Sequence, residues 1–386
     1  MRPLNRPKVD CLLILRGLAC LGVLIWHVEP PKEFLFFKGI NLSFLTFPSG
    51  FAALWIFFLL SGYLIGKVFF TGKYDISFRG VVNFYYNRIL RIFPLYYFNI
   101  IFLSVVFYSS LVKTSPEILI RLLTFTANDF FRLKTFNPPI WAVSAEVQFY
   151  LFAPLFFVIF YAISKKKIPL FFIGPMILLA GLFVRIAFVQ LFNASSDIFR
   201  YVSLLYSPLY GNLDVFLFGF CINLAFRDKD GRVAKWHGWA NKKIALLLLV
   251  ILYFFTSYAS LHFVEQYYIY KNLVIFIMPF MTALFVGYFI LAFEAQNYWK
   301  YPTSGIRLSL KGYLKSPLKL FETLGILSYG IYLWHRPVID HFGFGNSDNV
   351  SFLPFLTKLT GAFLTTLLFA LITYIGIELP LSRKKR

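Results

Sequence analysis

The sequence predicts an all-α polytopic membrane protein of about ten transmembrane helices, with both termini in the cytoplasm. Of its 386 residues, 59% are hydrophobic and 14% are charged, and the mean hydropathy is +0.70. Soluble domains carry about 25% charged residues. The apolar residues form span-length segments, and the basic residues collect between alternate segments. Together these observations exclude an ordinary soluble enzyme.

Ten apolar segments are long enough to cross a bilayer, which takes about 17 to 25 residues. They lie at residues 11–28, 51–70, 94–112, 141–163, 168–192, 207–226, 244–261, 272–294, 323–341 and 354–378. Lys and Arg concentrate at both termini and in the even-numbered connections, which the positive-inside rule assigns to the cytoplasm. We expect residues 1–386 to form a single transmembrane domain with no appended soluble domain.

The net charge of +21 follows from these basic cytoplasmic segments, so we expect contacts with membrane lipids and none with nucleic acid. Cys11, Cys20 and Cys221 lie in apolar segments and do not indicate a disulfide framework. The sequence lacks zinc-ligand spacing, a Gly-rich phosphate loop and a Walker lysine motif. We therefore expect neither a metal site nor ATP hydrolysis.

The first span, LRGLACLGVLIWHV, contains two ionisable residues, Arg16 and His27. Eleven residues of α-helix turn through about three full turns, so both side chains share one face, roughly 16 Å apart along the axis. An ionisable group in hydrocarbon costs at least ~2.5 kcal/mol and usually faces a bundle interior. We expect a functional site on this face; the alternative for His27 is an interfacial position beside Trp26.

Two further titratable residues are predicted at a depth similar to that of His27. Glu146 lies in WAVSAEVQFYL of the fourth span, and His335 lies in LSYGIYLWHRPV of the ninth. An imidazole beside a carboxylate can act as a general base. His27, Glu146 and His335 are therefore predicted to be catalytic. The alternatives are that Glu146 pairs with Arg185 or Arg336, and that His335 only closes the ninth helix.

Two arginines in NRILRIFPLYY, Arg88 and Arg91, are three residues apart and share a helix face. Guanidinium groups bind phosphate oxygens in bidentate geometry, so this pair near the cytoplasmic surface predicts an anionic, phosphorylated ligand. Arg16, on the same side of the membrane, favours a ligand over a simple anchor to lipid headgroups.

Three other polar residues lie within spans, and each leaves alternatives open. Ser61 in FFLLSGYLI is either a nucleophile or, as we favour, a small residue that permits close helix packing. Arg185 and Asp214 either form a buried pair or line the cavity.

Five blocks of the sequence, in order, resemble those of the membrane acyltransferase-3 family. They are LRGLACLGVLIWHV, FFLLSGYL, RILRIFPLYY, WAVSAEVQFYL and SYGIYLWHRP, and the resemblance covers essentially the whole chain. It implies Arg16 and His27 as the essential opening pair, Arg88 and Arg91 as a cytoplasmic arginine pair, and a role for Glu146. WAVSAE stands where the family more often has a WSLS-type run.

The resemblance also implies a function in the bacterial inner membrane. Family members transfer an acyl group, usually acetyl from acetyl-CoA, to a hydroxyl of a cell-envelope carbohydrate such as O-antigen, capsule, exopolysaccharide or peptidoglycan. Such an acceptor is either free or lipid-linked.

These inferences combine into one hypothesis. Arg16, Arg88 and Arg91 hold the phosphates of acyl-CoA, and His27, whose tautomer and charge are set by Glu146, deprotonates the acceptor hydroxyl. Direct transfer fits the residues better than an acyl-histidine intermediate. Two other functions compete: a transporter of a lipid-linked sugar or small anionic substrate, and a non-catalytic scaffold for envelope assembly.

Overall fold

The chain is almost entirely helical in a computed structural model that describes residues 10–127, 137–166, 170–226, 240–294, 317–345 and 351–384. Ten helices correspond to the predicted spans: α1 Cys11–Val28, α2 Gly50–Phe70, α3 Phe78–Val106, α4 Trp141–Lys165, α5 Leu170–Phe192, α6 Leu213–Cys221, α7 Lys242–Glu265, α8 Met278–Glu294, α9 Leu318–His341 and α10 Phe352–Thr373. The sequence prediction of an all-α polytopic membrane protein is confirmed.

Short elements connect these helices. A two-stranded antiparallel hairpin, β1 Phe36–Phe37 and β2 Ile40–Asn41, follows α1. Short helical segments complete the described ranges at Ser43–Thr46, Ser109–Thr114, Pro116–Leu123, Pro138–Ile140, Ile198–Tyr201, Val202–Tyr206, Leu209–Gly211, Ile222–Phe226, Tyr267–Asn272, Leu273–Ile277, Tyr374–Glu378 and Leu379–Ser382.

Eight helical stretches in the described ranges are long and apolar enough to cross a membrane. Of the other two predicted spans, one is the shorter apolar helix Leu213–Phe226, and the other is α9, which has 24 residues. The third span is longer than predicted, because α3 begins at Phe78 and continues through Pro94. The basic connections 227–239 and 295–316 lie outside the described residues, so the assignment of the cytoplasmic side stays a prediction.

The first helix begins at a side-chain cap. The carboxylate of Asp10 accepts hydrogen bonds from the backbone N–H groups of Leu12 and Leu13, at 3.0 and 3.1 Å, which satisfies two of the donors that every helix start leaves unpaired. Burial raises the pKa of this carboxyl. The cap fixes where α1 starts and therefore the depth at which Arg16 and His27 lie.

The helices α1 and α9 are parallel and pack closely. A Cβ at Gly17 would lie 2.3 Å from the carbonyl oxygen of Phe321, and one at Gly325 would lie 2.0 Å from that of Leu13. Both positions therefore need glycine. Further along, the Sγ of Cys20 lies 3.6 Å from the carbonyl oxygen of Ser328. From the glycine contacts to the cysteine contact, the partners advance together along both helices, which brings the end of α1 beside the last two turns of α9.

A second close pair, α2 and α6, is also parallel. The indole of Trp55 donates to Asn212, just before α6, at 2.9 Å, and the amide of Asn223, just after α6, donates to the carbonyl of Tyr63 at 3.1 Å. Parallel spans must be separated in sequence by an odd number of crossings. The helices α3 to α5 lie between this pair, and α2 to α8 lie between α1 and α9, in agreement with ten alternating spans.

Candidate active site

A cavity lies between four helices, three of which carry predicted site residues. It is lined by Arg16 of α1, by Leu54, Phe57 and Phe58 of α2, by Ala142, Val143 and Glu146 of α4, and by Ser328, Tyr329 and Tyr332 of α9. The space open to water-sized molecules is about 40 Å³. One water needs roughly 10–15 Å³ on this measure, so the cavity holds about three waters or a small organic group.

The guanidinium group of Arg16 lies in this cavity with an incomplete set of hydrogen bonds. Its Nε is buried and makes no hydrogen bond, while its guanidinium carbon lies 5.7 Å from the centroid of the Phe57 ring. Its charge also interacts with that of Glu146. A buried guanidinium normally satisfies its five N–H donors, so the incomplete set indicates capacity to bind an anion.

Glu146 is held by two hydroxyl groups. Ser61 and Tyr150 both donate to the same oxygen of its carboxylate, and the two hydroxyl oxygens lie 2.7 Å apart. Tyr150 follows Glu146 by one helical turn, and Ser61 reaches it from α2. The carboxylate is thereby fixed in position, and it lines the same cavity as Arg16.

The arginine pair of α3 lies next to this arrangement, but its two members differ. Arg91 donates to Glu378 at 2.9 Å, whereas Arg88 lies 5.8 Å from the ring centroids of both Phe84 and Tyr150. The Nε of Arg88 is buried without a hydrogen-bond partner. Of the two guanidinium groups, Arg88 therefore has more capacity left for a phosphate.

The cavity wall is tied to the helix that carries the arginine pair. The hydroxyl of Tyr329, which lines the cavity, donates to the carbonyl of Ile92 at 2.8 Å. Ile92 directly follows Arg91. The segment that carries the predicted phosphate-binding residues therefore contacts a residue of the cavity wall.

The two predicted histidines meet where the end of α1 lies beside the last two turns of α9. The Nε2 of His335 lies 3.3 Å from the Nδ1 of His27, and the ring centroids are 4.9 Å apart. His335 is 1% exposed, whereas His27 is half-buried. Two residues that are 308 positions apart in sequence thus form one imidazole pair.

The partners of these rings determine their tautomers. The Nδ1 of His27 lies 2.8 Å from the carbonyl oxygen of Val23, and the Nδ1 of His335 lies 2.6 Å from that of Tyr332. A carbonyl oxygen only accepts, so both Nδ1 atoms carry the proton when the rings are neutral. His335 Nε2 is then an acceptor towards His27, and the lone pair of His27 is on its Nε2.

Glu146 differs from its predicted place. Its described hydrogen bonds go to Ser61 and Tyr150, and those of His27 go to Val23 and His335. The predicted direct contact between the carboxylate and the imidazole is absent among the described residues. Glu146 instead shares the deeper cavity with Arg16, because it follows Val143 by one turn on the cavity-facing side of α4.

The structural alternatives for Glu146 are excluded. Arg185 forms a bidentate pair with Asp214, at 2.8 and 2.9 Å, and Arg336 pairs with Asp340 at 3.0 Å. Each arginine that was considered as a partner of Glu146 has its own carboxylate. Arg185 and Asp214 therefore form a buried pair and do not line the described cavity.

Comparison with known proteins decides which family these residues belong to. Residues 9–375 match the acyltransferase-3 family, whose description is "Acyltransferase domain". The chain belongs to the acyltransferase-3 family. The family resemblance of the sequence blocks is thus confirmed, and the cavity and the imidazole pair are features of an acyltransferase-3 chain.

Relatives of this acyltransferase-3 chain have been named. It is 28% identical to "O-acetyltransferase OatA" of Staphylococcus aureus (strain NCTC 8325 / PS 47), over 96% of this chain and 56% of OatA. A protein of S. aureus (strain COL) named a putative O-acetyltransferase is 24% identical, with the same coverage of both chains. The chain therefore spans about half the length of the curated relatives it matches. No solved structure shows a significant match.

Two residues of this candidate site, Tyr150 and Tyr332, were not among the predicted ones. Tyr150 lies four residues after Glu146, a spacing that places both on one helix face, so this contact was readable. Tyr332 lines the cavity, and its ring centroid lies 5.4 Å from that of His335; the spacing of three residues within SYGIYLWH was the available signal. Tyr332 is the side chain that connects the cavity to the imidazole pair.

Proposed function

We propose that this chain is a membrane O-acyltransferase that moves an acetyl group from acetyl-CoA to a hydroxyl of a cell-envelope carbohydrate, in the cytoplasmic membrane of a bacterium. The observation that carries the proposal is the cavity between Arg16 and Glu146, whose wall residue Tyr332 contacts the imidazole pair. Membership of the acyltransferase-3 family and the O-acetyltransferase relatives support the same reaction class.

The donor enters from the arginine side. Arg88 and Arg16 retain unpaired buried Nε atoms, and Arg91 lies one turn beyond Arg88 on α3. In the proposal these three groups bind the phosphates of acetyl-CoA, since guanidinium groups match phosphate oxygens. The pantetheine arm then leads the thioester into the cavity, whose volume of about 40 Å³ suits a small acyl group.

The acceptor hydroxyl meets the free nitrogen of His27. Its Nε2 takes the hydroxyl proton while the oxygen forms a bond to the thioester carbonyl carbon. The carbon–sulfur bond breaks, and the CoA thiolate takes the proton from the imidazolium. His335 and the Val23 carbonyl hold the ring in the tautomer that this step requires.

Glu146 contributes its charge without touching the ring. In a cavity of low dielectric, a carboxylate stabilises a cation over a longer distance than it does in water. Its negative charge therefore favours the imidazolium that forms on His27 during transfer. Ser61 and Tyr150 hold the carboxylate in place through their hydrogen bonds.

The test is transfer by the purified chain in lipid nanodiscs, with radiolabelled acetyl-CoA and a panel of envelope carbohydrates that includes peptidoglycan fragments and O-antigen. We expect labelled carbohydrate with the wild type and a rate lower by about 10²–10⁴-fold for His27→Ala, because the base is lost. Mass spectrometry of the product identifies the acyl group and the acceptor hydroxyl.

His262→Ala is the matched control, because His262 stacks on Tyr270, with ring centroids 5.1 Å apart, and belongs to α7, which does not line the cavity. It should retain the wild-type rate. Equal rates for His27→Ala and the wild type would refute the role of the base. Carriage of a sugar across the bilayer with no acyl transfer would favour a transporter.

A further inference from the structure

The helix α9 contains a proline two residues beyond the buried histidine. Pro337 has no backbone N–H, so it cannot bond to the carbonyl of residue 333, and its ring presses against that carbonyl. In a bilayer an unpaired carbonyl is costly, because no water can replace the lost hydrogen bond. The carbonyl of Leu333 therefore needs a partner from outside its own helix.

Two buried amides supply that partner. The Nδ2 of Asn137 lies 3.0 Å from the carbonyl oxygen of Leu333, and the Nδ2 of Asn99 lies 3.3 Å from the same oxygen. Asn137 also donates to the Oδ1 of Asn99 at 3.0 Å. Asn99 is 0% and Asn137 is 1% exposed. The carbonyl only accepts, so the orientation of both amides is fixed by chemistry.

The same segment contacts α9 a second time. The hydroxyl of Tyr332 donates to the carbonyl of Pro139 at 2.5 Å. Residues 332 and 333, which directly precede the turn that carries His335, are thus both attached to the chain just before α4. The backbone carbonyl of Tyr332 is also the partner of His335 Nδ1.

We propose that Asn137 and Asn99 are positioning residues for the imidazole pair: they occupy the Leu333 carbonyl that Pro337 leaves without a helical partner, and so hold His335 against His27. This inference rests on the proposed function, because it assumes that His27 is the base and that the two amides maintain the geometry it needs. Neither residue touches the cavity or the rings. They act through the backbone of α9.

A double-variant cycle tests the hydrogen bond itself. Pro337→Ala restores the N–H at position 337, which can then bond to the Leu333 carbonyl. Asn137→Ala should therefore lower the midpoint of thermal unfolding in nanodiscs clearly in the wild-type background and less in the Pro337→Ala background. The same decrease in both backgrounds would show that Asn137 does not act through this carbonyl.

Kinetics test the connection to the histidines. Asn137→Ala should lower kcat roughly 10- to 100-fold, as expected for a misplaced catalytic group, and leave the KM for acetyl-CoA unchanged. Asn223→Ala is the matched control, since its equally buried amide donates to the carbonyls of Tyr63 and Phe220, at 3.1 and 2.9 Å.

Similar kcat values for Asn137→Ala and Asn223→Ala would overturn the positioning role. If the wild type transferred no acyl group, the proposed function would fall, and the thermal cycle would still decide whether the amides serve the Leu333 carbonyl.

Discussion

Two arginines within the bundle, Arg185 and Arg16, have opposite surroundings. Arg185 makes three hydrogen bonds, two to Asp214 and one at 2.9 Å to the carbonyl of Gly211, and is 5% exposed. Arg16 faces a cavity, and its Nε has no partner. We propose that the same residue type stabilises the fold in α5 and binds a ligand in α1. The two arginines differ in the number of hydrogen bonds that their guanidinium groups make.

The largest expected effect is a loss of stability when the pair of Arg185 and Asp214 is broken. Asp214→Ala leaves the guanidinium of Arg185 buried without its carboxylate, which should lower the free energy of unfolding by about 3–5 kcal/mol. Arg16→Met should change it little, because Arg16 loses few contacts, while transfer is abolished. Thermal unfolding and transfer assays on both variants make the comparison. A collapse of Arg16→Met similar to that of Asp214→Ala would give both arginines a structural role.

The second prediction concerns the carboxyl group of Glu146, which lines the same cavity as Arg16. Glu146→Gln keeps an oxygen for Ser61 and Tyr150 but removes the charge, so kcat should fall about 100-fold with little change in the KM for acetyl-CoA. Steady-state kinetics with the acceptor at saturation measure both values. Adding Gln148→Glu should not restore the lost activity, because Gln148 lies on the other side of α4, where it donates to the carbonyl of Phe125. An unaltered kcat would remove Glu146 from the mechanism.

The smallest effect separates the two members of the arginine pair. Arg88→Ala should raise the KM for acetyl-CoA about tenfold, the value expected for one hydrogen bond to a charged group. Arg91→Ala should raise it less, because Arg91 already pairs with Glu378. Neither variant should change the KM for the acceptor. An equal rise in both KM values for Arg88→Ala would contradict phosphate binding.

Much of the fold followed from local patterns in the sequence. Span lengths and apolar runs predicted helices at all ten places, and the depth argument predicted His27 and His335 at a similar depth, where their rings are in contact. These predictions succeed because a bilayer imposes its thickness on each span separately. The start of α3 was misplaced because its first residues are polar enough to be mistaken for a connection.

The candidate site was harder to predict, because it depends on which helices are neighbours. Nothing within WAVSAEVQFYL indicates that Ser61 lies opposite Glu146, or that Arg16 shares its cavity. Gly17 and Gly325 allow α1 and α9 to approach each other. Because small residues are common in membrane spans, these two glycines do not identify the two helices as neighbours. The partners of the Leu333 carbonyl come from two distant segments. In the sequence, Pro337 indicates that this carbonyl needs a partner but does not identify it.

The parallel packing of α1 on α9 restricts how this protein can change during evolution. A substitution between Gly17 and His27 leaves the direction of every later side chain unchanged. One inserted residue, however, would rotate everything beyond it by about 100° and turn the imidazole away from its partner. The number of residues between Gly17 and His27 therefore matters to the imidazole pair as much as the histidines themselves.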